Sequence, residues 1–379
     1  MRRRIISILL ASALFVGIFA NSVFAKSNDT TLQFNDDGKF TIVQFTDTHT
    51  TDQPYPEMIA LIEGMLDKYN PDLAVYTGDN VTGGWYMSTA YSVKQAIGHI
   101  VKPCEDRNIP FAIVFGNHDW QTLTPKIMQL GYYDNYSMNL TKNGYSILHR
   151  RANYNLTIKS SDGSKDAFNL WFMDTGTKDF FEKFHPVYDK QIEWYEKTSA
   201  ELKAANGGEV VPSIVFQHIP VYEVYDILLE VPEGTEGAVS GNGKHYILDP
   251  AKKYENSGNL TAFPGDFDDS GKQYDSWVKT GDVVAAFFGH DHTNDYVGIT
   301  DDGIMLGGTN TSGFQSRGDG NQGCRVIEIY EDDPTNINTF SAYYKDVVGG
   351  EIPASKKEYD AKARWLSILD MLIPGIVKK

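Results

Sequence analysis

The feature that most restricts the possible folds of this chain is an alternation near its start. Phe40 to Thr46 is rich in β-branched and aromatic residues, as a strand is. Pro56 to Tyr69 then has a helical pattern. Its proline stands at the first turn, Ile59, Ile62, Met65 and Leu66 form one apolar face, and Asn70-Pro71 ends it. Strand character returns at Asp72 to Tyr76, helix character at Ser88 to Val101, and strand character at Pro110 to Phe115. Such an order predicts the α/β class, with a parallel sheet built from βαβ units.

Strands are further predicted at Phe168 to Met173, Val211 to Phe216 and Val283 to Phe288, and a helix near Tyr188 to Lys203. The last third changes to short strands at Asp295 to Ile299, Ile304 to Gly307, Cys324 to Tyr330 and Thr339 to Tyr344, joined by Gly/Asp turns. No repeat and no Pro/Gly/Ser-rich linker divides the 379 residues, so one large domain is expected. Val231 to Lys272 reads as an inserted loop, poor in apolar residues. Within it, Asp266 to Gly271 begins like a calcium loop, but Trp277 at the twelfth position rules that site out. Residues 356–379 read as a helical tail, whose apolar stretch from Trp365 to Val377 is short and broken by Pro374.

Met1-Arg2-Arg3-Arg4 followed by the apolar run Ile5 to Phe19, with Val23 and Ala25 small, predicts a signal peptide over residues 1–25 and an exported mature chain. No membrane span is expected after cleavage. Removing the three arginines leaves 31 basic against 50 acidic residues, a charge of −19. That charge disfavours nucleic acid and anionic membranes as partners, since both are bound through basic patches. Cys104 and Cys324 match no zinc cluster, and either a disulfide or two buried thiols is compatible with their spacing.

Five short polar clusters follow predicted strands: Asp47-Thr48-His49, Gly78-Asp79-Asn80, Gly116-Asn117-His118-Asp119, Gln217-His218-Ile219-Pro220 and Gly289-His290-Asp291-His292. Taken singly, Gly-Asp is a turn and a lone histidine is more often structural than a ligand. Their common placement at strand ends is what matters, because functional groups in open α/β sheets gather there. Imidazole, carboxylate and amide oxygen are donors for transition metals. His118 titrates near neutrality and suits a general acid.

The set of clusters, in this order, resembles the calcineurin-like metallophosphoesterase superfamily, with its Asp-x-His, Gly-Asp, Gly-Asn-His-Asp/Glu, His and Gly-His-x-His motifs. The match runs from Asp47 to His292, and Tyr76 to Asn80 with Gln217 to Pro220 is similar to the purple-acid-phosphatase-like branch. The resemblance implies a four-layer α/β/β/α sandwich, one domain with a core of about 40–347, and a binuclear metal centre. It implies that Asp47, His49 and His292 hold one ion, that Asn117, His218 and His290 hold the other, and that Asp79 bridges them. Two positions depart from relatives: His49 stands where the purple enzymes have glycine, and Thr82 where they have a tyrosine ligand. Protein-phosphatase members carry at that second position an aspartate that pairs with the acid histidine, which leaves the orientation of His118 open.

Two transition-metal ions, of which Fe, Mn and Zn suit the donors, would neutralise a phosphate ester and generate a bridging hydroxide to attack it, with His118 protonating the leaving oxygen. No Gly-x-Ser-x-Gly elbow or Walker loop offers another mechanism. The expected activity is hydrolysis of small phosphate monoesters. A phosphodiesterase and a noncatalytic, metal-containing secreted binding protein are the alternatives. Weaker signals are an Arg317-Gly318-Asp319 tripeptide, Arg317 and Arg325 as phosphate contacts or structural ion pairs, sequons at Asn139, Asn155 and Asn259, and Trp85, Tyr86 and Trp120 as pocket-lining or core aromatics.

Overall fold

The computed structural model describes residues 30–84, 89–177, 187–265, 271–316, 318 and 320–349. The signal peptide, the C-terminal tail, Trp85, Tyr86, Arg317, Asp319 and the acidic stretch 266–270 lie outside the described residues.

Two sheets stack face to face. The larger contains β1 (Leu32–Gln33), β5 (Tyr145–Ile147), β6 (Arg150–Lys159), β7 (Asp166–Met173), β8 (Ser213–Gln217), β12 (Val283–Phe288), β13 (Val297–Ile299) and β14 (Met305–Gly308). Its order is β1-β6-β7-β8-β12-β14-β13, with β5 paired to β6. The smaller contains β2 (Lys39–Phe45), β3 (Leu73–Thr77), β4 (Phe111–Val114), β15 (Gly323–Tyr330) and β16 (Asn338–Tyr343), in the order β16-β15-β2-β3-β4. Both sheets are mixed. The strands β2, β3 and β4 are mutually parallel, as are β7, β8, β12 and β14, whereas β15 closes antiparallel against β2.

Helices α1 (Pro56–Tyr69) and α2 (Ala90–Arg107) cover the smaller sheet, and α4 (Asp189–Ala205) with α5 (Lys272–Thr280) covers the larger. Between the sheets lies an aromatic seam in which Tyr154, Phe172, Phe216 and Phe287 stack in succession, while Phe45 stacks on Tyr76 on the opposite face of the smaller sheet, where the Tyr76 hydroxyl donates to the Ile100 carbonyl of α2. Polar ties cross the seam: the Tyr154 hydroxyl donates to the Ile113 carbonyl at 2.8 Å, and Gln44 Nε2 donates to the Phe288 carbonyl at 3.4 Å. The result is the expected four-layer α/β/β/α sandwich.

Most predicted elements appear within a residue or two, with α1 and β12 at the predicted bounds. The α2 helix runs six residues beyond Val101, through the buried Pro103, and stops at Asn108, whose backbone is left-handed at φ 55°. Two segments carry structure that the sequence reading left unassigned. The alternation of Tyr154, Leu156 and Ile158, all buried, makes β6 a half-buried strand, and Lys126–Tyr133 forms the short helix α3. The inserted loop is corrected in part. It contains β10 (Val239–Gly241) and β11 (Lys244–Leu248), which form an antiparallel sheet with β9 (Leu228–Val231) at its entrance. Its tight hairpin uses Asn242 at φ 52° and Gly243 at φ 74°, the Asn-Gly pair that a two-residue turn of primed type requires.

Candidate metal centre

Every polar cluster named above emerges at the carboxyl end of a strand, and the parallel ladders carry on past the strands to align them. Asp47 N–H donates to the Gly78 carbonyl at 3.0 Å, and His49 N–H to the Asp79 carbonyl at 2.9 Å. Two glycines permit the close approach. A Cβ on Gly116 would lie 2.2 Å from Asp79 Oδ1, and one on Gly289 would lie 2.0 Å from Thr46 Oγ1. Four of the site residues, Asp47, His49, Asp79 and His290, adopt left-handed backbone at φ 40° to 72°. Asp and His visit that region more readily than most residues, and strain of this kind concentrates at functional sites.

The side chains converge. His292 Nε2 lies 3.2 Å from Asp47 Oδ1 and 3.2 Å from His49 Nε2. His49 Nε2 stands 3.7 Å from Asp47 Oδ1 and 3.6 Å from Asp79 Oδ2. His218 Nε2 is 3.2 Å from Asp79 Oδ2 and 3.1 Å from Asn117 Oδ1, and His290 Nδ1 also approaches Asn117 Oδ1 at 3.1 Å. Any one of Asp47/His49/His292, Asp47/Asp79/His218 and His49/Asp79/His118 brings three ligand atoms within 4.8 Å of one another. His118 differs from its neighbours. Its side chain is 39% exposed against 0–19% for Asp47, His49, Asp79, His218 and His292, so it lines the open side of the cluster.

Cations fit this donor set. His218 Nδ1 lies 2.9 Å from the Thr77 carbonyl and must carry its proton there, so in the neutral ring Nε2 is a bare lone pair facing two oxygens. Asp47 Oδ1 is buried and accepts no hydrogen bond, although three imidazole nitrogens surround it. Lone pairs facing one another without water repel, and a positive charge among them reverses the sign.

Without a cation, a proton on His218 meets the same demand for positive charge. Burial alone raises the Asp47 and Asp79 carboxyls, but the surrounding imidazoles, His218 foremost, hold both below the usual carboxylate range. Burial depresses His218, yet Asp79 and Asp47 overcome it and push the ring up to about 10. His290, buried and beside His218, falls to about 3. Burial also lowers His118, against the pull of Asp79.

Two residues outside the sequence-based set hold the site together. Asp119 accepts from Val81 N–H at 3.0 Å and Gly116 N–H at 2.7 Å, clamping the second motif to the third. Its carboxyl is pushed up to about 7 by burial and by Asp79. Gln121 donates its backbone N–H to the His118 carbonyl at 2.9 Å and so closes the turn that carries His118, while Thr82 occupies the place of the protein-phosphatase aspartate. Thr82 instead donates its hydroxyl to the His49 carbonyl. Of the weaker candidates, Arg325 is a structural residue: fully buried, it bonds the carbonyls of Gly308 and Asp295, each at 2.7 Å. Trp120 is 44% exposed and lies against His149, outside the core.

The fold and the converging donors define a metallophosphoesterase-type protein, and the sequence profile of the family described as calcineurin-like phosphoesterase matches residues 40–294. The chain therefore belongs to the calcineurin-like phosphoesterase family. It is 25% identical to a protein of Arabidopsis thaliana named probable inactive purple acid phosphatase 28, over 72% of this chain and 70% of that one. It is 27% identical to Phosphatase DCR2 of Saccharomyces cerevisiae, over 70% of this chain and 46% of that longer protein. Among solved structures, a dimetal phosphatase from Danio rerio shares the fold with a TM-score of 0.53 at 12% identity, covering 80% of this chain and 96% of that one.

Proposed function

We propose that this protein is an exported, metal-dependent phosphoesterase acting on small phosphate monoesters, with His118 as general acid. Asp47, His49 and His292 would hold one ion and Asn117, His218 and His290 the other, with Asp79 shared. The observation that carries this reading is the convergence of metal-donor atoms from His218, Asn117, Asp79 and Asp47 at one buried point, where Asp47 Oδ1 accepts no hydrogen bond. The mixture of imidazole, carboxylate and amide donors suits Fe, Mn or Zn. When bound, two such ions neutralise phosphate oxygens and acidify a water molecule to supply the nucleophile.

The chain's own contribution begins with geometry. Asp47 and Asp79, ionised and buried, provide the negative charge that retains cations. His118 stands on the open side, where a leaving oxygen departs, in a turn closed by the Gln121 N–H on its carbonyl. General acid catalysis of this kind contributes about 10² to 10⁴-fold. The acidic surface favours small phosphates over polyanions. Export rests on the basic and apolar N-terminal sequence, and Edman sequencing of secreted protein should begin at Lys26.

The names of the Arabidopsis relatives favour a second reading, a noncatalytic metal-containing binding protein. Retention of His118, which the proposed ligand sets do not need, speaks for catalysis. The two are separated by assaying the chain from Lys26, reconstituted with Mn, Zn or Fe, on p-nitrophenyl phosphate beside bis-p-nitrophenyl phosphate. Faster monoester cleavage is the expected result. Faster diester cleavage would reassign it as a phosphodiesterase, and silence on both with metal bound would establish the binding protein.

A further inference from the structure

Near the loop that bears His118, Lys126 and Asp174 form a buried ion pair, with the buried Arg150 guanidinium beside Asp174, where its Nη1 donates to the Asp174 carbonyl at 3.3 Å. Lys126, in the first turn of α3, places Nζ 2.9 and 2.8 Å from the two carboxylate oxygens of Asp174, with side-chain exposures of 1% and 0%. Asp174 is fully engaged. It also accepts from Arg151 N–H at 2.7 Å and Gly176 N–H at 2.8 Å. The residue after it, Thr175, accepts from Ile219 N–H at 3.2 Å, next to the site residue His218.

The same ammonium lies 5.1 Å from the centre of the Phe115 ring, and Phe115 leads directly into Gly116-Asn117-His118. From the next turn of α3, Gln129 Nε2 donates to the Asp119 carbonyl at 2.7 Å and the Thr124 carbonyl at 2.9 Å. The loop bearing His118 is thus tied to α3. The sole charged tie from α3 to the larger sheet, among the described residues, is Lys126 to Asp174.

We infer that the buried Lys126–Asp174 pair is a positioning device that sets His118, carried by the smaller sheet's loop, at its working distance from the half of the site carried by the larger sheet. This inference rests on the reading of His118 as general acid. Buried ion pairs are weak contributors to stability, because desolvation offsets their attraction, so a specific geometric role accounts for keeping one here. A misplaced acid has a distinctive signature. Esters with poor leaving groups need the proton and slow down, whereas esters with good leaving groups do not.

The test uses the full mature chain loaded with its most active metal and compares phenyl phosphate with 2,4-dinitrophenyl phosphate. Lys126→Met/Asp174→Asn removes both charges while keeping an acceptor for one of the two backbone donors, Arg151 or Gly176. Metal content and KM should match the unsubstituted protein, with kcat on phenyl phosphate down by about tenfold or more and kcat on the dinitrophenyl ester within about twofold. Equal loss on both esters, or loss on neither, would overturn the inference. Lys126→Gln, which keeps a neutral donor to Asp174, carries the same comparison if the double variant does not fold. His118→Ala separates the two levels of the argument. If it too lacks the leaving-group selectivity, the acid assignment falls and the positioning role with it. If it shows the selectivity and the Lys126 variants do not, only the positioning role falls.

Discussion

At the scale of single residues, the site combines strained backbone with crowded, buried metal donors, and each has a measurable consequence. Asp79→Asn keeps a residue that tolerates the left-handed backbone at φ 48° but removes the charge shared by His49, His118 and His218. Metal content by atomic spectroscopy should fall, and activity should drop by more than the roughly 10- to 100-fold that loss of an outer-sphere partner costs. His118→Ala should leave metal content intact while reducing kcat on alkyl or phenyl esters about 10² to 10⁴-fold. A variant that lost its metals instead would make His118 a ligand, as its proximity to Asp79 and His49 allows. Thr82, whose hydroxyl is committed to the His49 carbonyl, offers no phenolate to iron. Iron-loaded protein should accordingly show no visible charge-transfer band in its absorption spectrum.

At the scale of elements, α2 provides two tests of how the scaffold is held. Its N-cap Thr89 accepts from Ser92 N–H at 3.1 Å, and Thr89→Ala should cost about 1 kcal/mol in urea unfolding. Near its other end, Glu105 accepts from Ser137 N–H at 3.0 Å and Met138 N–H at 2.9 Å, anchoring the segment that leads to Leu140 beside β4. Burial raises that carboxyl, but these donors win and hold it below its ordinary 4.5. A depressed carboxyl stabilises the fold fully above its ordinary value and loses that stabilisation as the pH falls through the folded value. The stability gap between the unsubstituted protein and Glu105→Gln, measured at fixed metal load, should therefore shrink on acidification below about pH 4.5. Elements with a strong local period, such as α1 and β12, were legible from sequence. β6 was harder, because its alternation is interrupted by polar residues such as Asn153 that are buried yet satisfied across the fold. The Asn242-Gly243 hairpin was readable in principle, but its flanking strands are too polar and short to announce themselves.

At the scale of the whole molecule, metal and fold are one thermodynamic system. The left-handed residues and facing lone pairs are tolerated more easily with cations present, and a ligand that binds only the native state raises its stability with concentration. Chelation should lower the melting temperature, with recovery on adding back metal. Cys104 and Cys324 are separate, buried thiols, with Cys104 pushed up to about 12 by burial. Intact mass should therefore show no disulfide, and alkylation should require denaturant. By itself the sequence determined the α/β class, the strand ends that carry each polar cluster, and the family, because those signals depend on local periodicity and on short motifs. Only the tertiary structure decided that Arg325 serves the core, that Asp119 clamps Val81 to Gly116, that the inserted loop pairs with β9 into a sheet, and that Lys126 meets Asp174. These are contacts between residues whose separation along the chain carries no local signal. They exist because two sheets, once packed, bring distant side chains into a space too dry to leave a polar group unpaired.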